Sequence, residues 1–172
     1  MRNRLLPLLA IFLFAGSQRA DAQSTSLDLD TAPGNFSTWK VSGLMTSTVI
    51  FDVTYVETKK DEKWLPTYAI KIGDSGGQLF VFSGAYQGSD VPQTKAHLWK
   101  DKKDISSSGS SSDSILAFTL KQTYKVQLAW IDGKVTATIN GNSKEYAVPF
   151  KPSEIQISCS TGELEVKNIV FQ

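Results

Sequence analysis

The sequence predicts an all-β domain built as two antiparallel sheets packed face to face. Three observations lead there. Beyond residue 36, apolar residues recur at every second position and nowhere every 3.6 over the length of a helix. The runs number about ten, too many for one open sheet to bury an apolar face on each, so two sheets must stack. Two of the breaks between runs, Asp132-Gly133 and Asn140-Gly141, are dipeptides that tolerate the positive φ angles of two-residue hairpins.

Val49, Phe51, Val53 and Tyr55 alternate with Ile50, Asp52, Thr54 and Val56, and Tyr68, Ile70 and Ile72 alternate with Thr67, Ala69 and Lys71. Each reads as a strand with one buried face. Leu79 to Phe82 is apolar on both faces, as a central strand is, and Leu116, Phe118 and Leu120 resume the alternation as a further strand. Tyr124, Val126, Leu128 and Trp130 then face one way, Val135, Ala137 and Ile139 return after the first turn, and a third strand ends in Tyr146 and Val148. Pro149 and Pro152 bracket a break. Ile155, Ile157 and Cys159 form the next strand, and Glu163 to Phe171 closes the chain. Ser106 to Ser112, serine and glycine throughout, is an expected excursion from one domain, with the charged run Lys100 to Asp104 before it.

Arg2 and Arg4 precede the apolar run Leu5 to Ala15, and Ala20-Asp21-Ala22 has the small-x-small form of a signal peptidase site. Residues 1–22 are therefore expected to be a signal peptide, 23–172 the single mature domain, and the location secreted or periplasmic. No other run reaches the roughly 20 apolar residues of a membrane span. Eighteen basic groups less three leader arginines leave 15, all lysine, and 17 acidic groups less Asp21 leave 16. Nucleic acid is a poor partner for such a chain, which lacks both a basic excess and guanidinium forks. The one cysteine, Cys159, closes no internal disulfide, so stability must come from packing.

The stretch Tyr124-Lys-Val-Gln-Leu-Ala-Trp130-Ile-Asp-Gly-Lys-Val135-Thr-Ala-Thr-Ile-Asn140-Gly resembles the strand, turn, strand, Asn-Gly pattern of concanavalin A-like lectin/glucanase sandwiches, including laminin-G-like modules. Gly162-Glu-Leu-Glu-Val-Lys-Asn168-Ile-Val-Phe171 is similar to their closing strand. The resemblance covers under a third of the chain. It implies a jelly roll of two curved sheets whose concave face and edge loops often bind glycans, in secreted proteins that are sometimes enzymes.

Sugar binding needs flat aromatic faces with hydrogen-bonding groups beside them. Trp64 in the charged loop 59–66, Tyr86 between Gly84 and Gly88, and the pair His97 and Trp99 are the candidate glycan contacts. Trp130 and Tyr124, in phase with Val126 and Leu128, are expected in the core, as is Cys159. A polysaccharide-cleaving enzyme is the alternative. It would use Glu163 and Glu165, two apart on one strand face and about 7 Å from each other, or His97, the sole histidine. However, the Glu-x-Asp-x-x-Glu signature of the laminarinase group is absent, Lys167 continues the same face as a solvated edge would, and no Gly-x-Ser-x-Gly elbow occurs. Binding without cleavage is the favoured expectation, and a protein-binding adhesion module the remaining one. No cofactor is expected. Calcium is the metal that Asp28 and Asp30 would suit, although Leu27-Asp28-Leu29-Asp30 also reads as an edge strand.

Overall fold

The architecture turns on the last strand. A computed structural model describes residues 25–101, 103–105, 114–131 and 133–172. The expected signal segment 1–22, the Ser106 to Ser112 excursion and Asp132 of the first hairpin turn lie outside the described residues. Within them run ten strands in chain order: β1 (Thr25–Ser42), β2 (Thr48–Thr58), β3 (Thr67–Gly73), β4 (Gln78–Ala85), β5 (Gln93–Lys100), β6 (Lys103–Asp104), β7 (Thr123–Ile131), β8 (Lys134–Ile139), β9 (Asn142–Ala147) and β10 (Glu154–Phe171).

Two strands expected at the C-terminus are one. Residues 154–160 of β10 pair with β3 on one side and with 36–42 of β1 on the other, and 162–171 pair with β2 and with 25–31 of β1. The change of partner falls at Thr161, buried and held at φ 53°, an unusual backbone for a β-branched residue. It reverses which parity points inward, from Ile155, Ile157 and Cys159 to Leu164 and Val166. β1 makes the same change through a bulge between Thr31 and Phe36. The first sheet is thus β6-β5-β4-β3-β10-β1 and the second β1-β10-β2-β7-β8-β9, sharing the β1–β10 pair as a common edge.

All pairings are antiparallel, and the apolar faces meet between the layers. Phe80 and Phe82 of the first sheet pack on Tyr146 of the second at 5.0 and 5.2 Å between ring centroids. The central β4 carries apolar residues on both faces, as its sequence predicts. Asn140 and Gly141 take φ of 46° and 87° in the β8–β9 turn.

One strand expectation is corrected. Leu116 and Phe118 are buried, but the segment is a 3₁₀ turn, Ser114–Leu116, followed by loop. Its carbonyls are satisfied by tyrosines rather than by a neighbouring strand: Tyr68 Oη donates to the Leu116 oxygen, and Tyr86 Oη donates to the Phe118 oxygen at 2.5 Å. The alternation reported burial faithfully, but the hydrogen bonds go elsewhere. Tyr55, Tyr68, Tyr86 and Phe118 plug this end of the sandwich, with Tyr55 and Tyr86 4.5 Å apart. Burial raises all three tyrosine hydroxyls above their ordinary range. Gly84 is required here, since a Cβ on it would lie 2.4 Å from the Tyr68 ring.

Candidate functional site

Because Tyr68, Ile70 and Ile72 face the core, Thr67, Ala69 and Lys71 face outward, and the register carries that parity across the first sheet. Ser158 and Ser160 on β10, and Phe36, Thr38 and Lys40 on β1, share the outer face on one side of β3. Val81 and Ser83 on β4, and Lys95, His97 and Trp99 on β5, share it on the other.

At the β1 side a groove of about 460 Å³ opens over Thr67, Ala69, Lys71, Ser158 and Ser160, between the side chains of Phe36, Trp64 and Leu65. Phe36 is 69% exposed and Trp64 51%. The loop between β2 and β3 sets Trp64 in place through Asp61, whose Oδ1 accepts the backbone N–H of Lys63 at 2.8 Å and of Trp64 at 2.9 Å. The ends of that loop are tied by Lys59 N–H to the Thr161 oxygen and Tyr86 N–H to the Pro66 oxygen, both 2.9 Å. On β1 the bulge brings Gly34, at φ 73°, against Asp61, so close that a Cβ would lie 3.1 Å from its Oδ2. Bulge and loop therefore seat Phe36 and Trp64 on the same groove. A hydroxyl ladder continues on the floor, with Thr38 and Ser158 2.9 Å apart.

Trp64 also walls a second hollow of about 620 Å³ at the plugged end, among Lys59, Lys60, Asp61 and Asp90, which Tyr86 lines with it. A third, of about 810 Å³ between Met45, Ile131, Pro149 and Phe150, holds none of the residues expected to bind sugar.

The four candidates do not converge on one groove: Trp64 and Tyr86 line the second hollow together, and His97 and Trp99 form a separate pair. Tyr86, expected as a surface contact, is a core residue, 2% exposed with its hydroxyl committed to Phe118; Gly84 and Gly88 flank a chain that turns its ring inward. His97 and Trp99 share the face with Trp64 but lie at the far corner. At about 4.8 Å per strand and about 6.8 Å per residue pair, Phe36 and Trp99 stand roughly 28 Å apart. There His97 Nδ1 meets Asp104 Oδ2 at 2.7 Å, and its ring lies edge-on to Trp99 at 6.5 Å. The indole N–H of Trp99 is sealed from solvent with no acceptor among the described residues.

Glu163 and Glu165 stand on the outer face of the second sheet, on the opposite side of the sandwich from His97, so the three form no common centre. Glu163 lies between Asp30 on β1 and Glu57 on β2. Burial first, then repulsion from Asp28, Asp30, Glu57 and Glu165, raises its carboxyl above the usual range. Lys59 bonds Asp30 and reaches Glu57 at 3.6 Å, and Lys167 pairs with Glu165 at 2.6 Å. Among the described residues no group of three or more His, Cys, Asp or Glu side chains is placed to hold a metal, Asp28 and Asp30 included. Cys159 is free and buried, its thiol pushed up to about 11 chiefly by burial.

Sequence reasoning missed Phe36 and Lys71. Both lie in the polar phase of their strands, Phe36 out of step with Trp39 and Val41, Lys71 between two inward isoleucines. An aromatic in the solvent phase just beyond Pro33-Gly34-Asn35 was the available signal.

No family model and no curated protein matches the sequence. Solved structures do match the fold. CG-16, a homodimeric agglutinin from chicken liver, superposes with a TM-score of 0.60 at 14% identity, over 79% of this chain and 100% of that one. A toad ovary galectin, solved with thio-digalactose, gives 0.50 at 13% identity over 79% and 95%. The Crh5 transglycosylase in its apo form gives 0.60 at 8% over 83% and 70%. The chain has the concanavalin A-like lectin fold, a jelly roll of antiparallel curled sheets.

Proposed function

We propose that this chain is an exported lectin-like domain that binds carbohydrate, without cleaving it, on the outer face of its first sheet. The observation that carries this reading is the groove between Phe36 and Trp64: two exposed aromatic walls over a floor of threonine and serine hydroxyls, with the Lys71 ammonium on the floor and Lys63 on the wall beside Trp64. An aromatic ring takes the apolar face of a pyranose, and the floor groups bond its hydroxyls. His97, Trp99 and Lys95 extend the same face by several sugar lengths, which suits a chain better than a monosaccharide. The fold is also that of the chicken agglutinin and of the galectin solved with a sugar. Binding rather than cleavage is supported by the separation of Glu163 and Glu165 from His97 across the sandwich. Export is supported by the Arg2, Arg4, Leu5 to Ala15, Ala20-Asp21-Ala22 pattern. Each isolated subsite binds modestly, because hydroxyl bonds to protein replace hydroxyl bonds to water.

The test is a glycan array probed with the mature domain, with and without calcium, followed by a reducing-end assay on every bound polysaccharide. Retention of a defined set of glycans without release of reducing ends is expected. Signal at background across the array, or cleavage of a bound chain, would overturn the reading.

A further inference from the structure

We propose that the glycan taken by this groove is acidic, and that the ammonium of Lys71 receives its carboxylate or sulfate group. The inference rests on the glycan-binding reading above and narrows its ligand class.

Lys71 projects from the middle of β3 onto the groove floor, with Gln156 directly opposite on β10 and Val81 on β4, and the one carboxylate diagonal to it, Glu154 on β10, is bonded by Lys40 instead. Among the described residues it has no hydrogen bond or ion pair. Other lysines do: Lys40 bonds Glu154 at 2.6 Å, Lys134 bonds Glu145 at 3.1 Å, and Lys59 and Lys167 are paired as above. Lys71 is also half-buried, and burial lowers its ammonium below the ordinary lysine range. A partly desolvated charge without a counterion is an unfavourable arrangement that a bound anion relieves.

The charges around it point the same way. The two carboxylates on this face are engaged, Glu154 by Lys40 and by Gln156 at 2.8 Å, Asp104 by His97 at 2.7 Å. Lys95 stands on the same face, without an ion pair among the described residues. The outer face of the second sheet carries Asp28, Asp30, Asp52, Glu57, Glu145, Glu163 and Glu165 against Lys59, Lys125, Lys134 and Lys167, an acidic excess that disfavours a polyanion there relative to the first face. Within one groove, Trp64 and Lys71 offer an acidic sugar both contacts it needs, a flat apolar wall and a cation.

The experiment measures binding of the mature domain to galactan and to β-glucan, each as the neutral, the carboxylated and the sulfated chain, at low and at physiological salt. Charged chains are expected to bind about tenfold or more tightly than their neutral counterparts. The preference, read as the charged-to-neutral ratio within each variant, should shrink as salt rises, vanish in Lys71→Gln and persist in Lys71→Arg. A carboxylate-only or sulfate-only preference identifies which anion the groove takes. Equal binding of neutral and charged chains by the unmodified domain overturns this inference and leaves the glycan reading standing, as does a preference that survives in Lys71→Gln. No binding to any of the six chains, with an array also at background, overturns both.

Discussion

Trp64→Ala and Tyr86→Phe separate the binding wall from the core beneath it. Trp64 is 51% exposed. A tryptophan offers up to roughly 250 Å², so about 125 Å² of it faces water and a pyranose resting on one ring face covers about half of that. At ~25 cal/mol per Å² this contributes about 1.5 kcal/mol, roughly tenfold in Kd. The buried half of the side chain is worth about 2–3 kcal/mol of stability once denatured-state compaction is allowed for. Tyr86→Phe removes a buried hydroxyl that donates to the Phe118 carbonyl at 2.5 Å and leaves that oxygen unsatisfied, a loss of about 1–3 kcal/mol. Both variants should therefore melt a few degrees lower, about 2–4 °C per kcal/mol for a domain of this size. Only one should lose ligand. Titration calorimetry with the best-retained array glycan is expected to show about tenfold weaker binding for Trp64→Ala and unchanged binding for Tyr86→Phe. Full affinity in Trp64→Ala, or loss in Tyr86→Phe in step with its lower melting point, would refute the division of roles.

Two further outcomes follow from the titratable groups. Glu163 has a raised carboxyl in the folded state, so it opposes folding at neutral pH, and that penalty disappears as pH falls through its folded value toward the unfolded one. Glu163→Gln should be more stable than the parent at pH 7 and indistinguishable from it at low pH in urea titrations, with glycan binding unaltered because the residue faces away from the groove. Cys159, buried with its thiol raised to about 11, should resist iodoacetamide at pH 8 in the native domain and react fully once guanidinium unfolds it.

The fold was legible because several strands write their inward face at period two: Val49 to Tyr55, Tyr68 to Ile72 and Tyr124 to Trp130 all point as the alternation says. Where alternation misled, at Leu116 to Leu120, it reported burial correctly but not the partners of the backbone, which are tyrosine hydroxyls distant in sequence. The union of two strands into β10 was hidden because a single left-handed residue, Thr161, reverses parity without a turn dipeptide. The site was read in fragments. Trp64 stood out as an aromatic in a charged loop, but its companion Phe36 is 28 positions away, and only the bulge against Asp61 brings the two together. Tyr86 misled for the converse reason: flanking glycines mark a tight path of the chain, and here that path serves the core.

The most direct measurement is an amide chemical-shift titration of the ¹⁵N-labelled mature domain with its best-retained glycan. Shifts should concentrate at Phe36, Thr38, Thr67, Ala69, Lys71, Ser158 and Ser160 and at the Trp64 indole, all on one outer face. Shifts centred instead on Thr54, Lys125, Thr138 and Glu165, the outer face of the other sheet, would contradict the assignment of the binding surface.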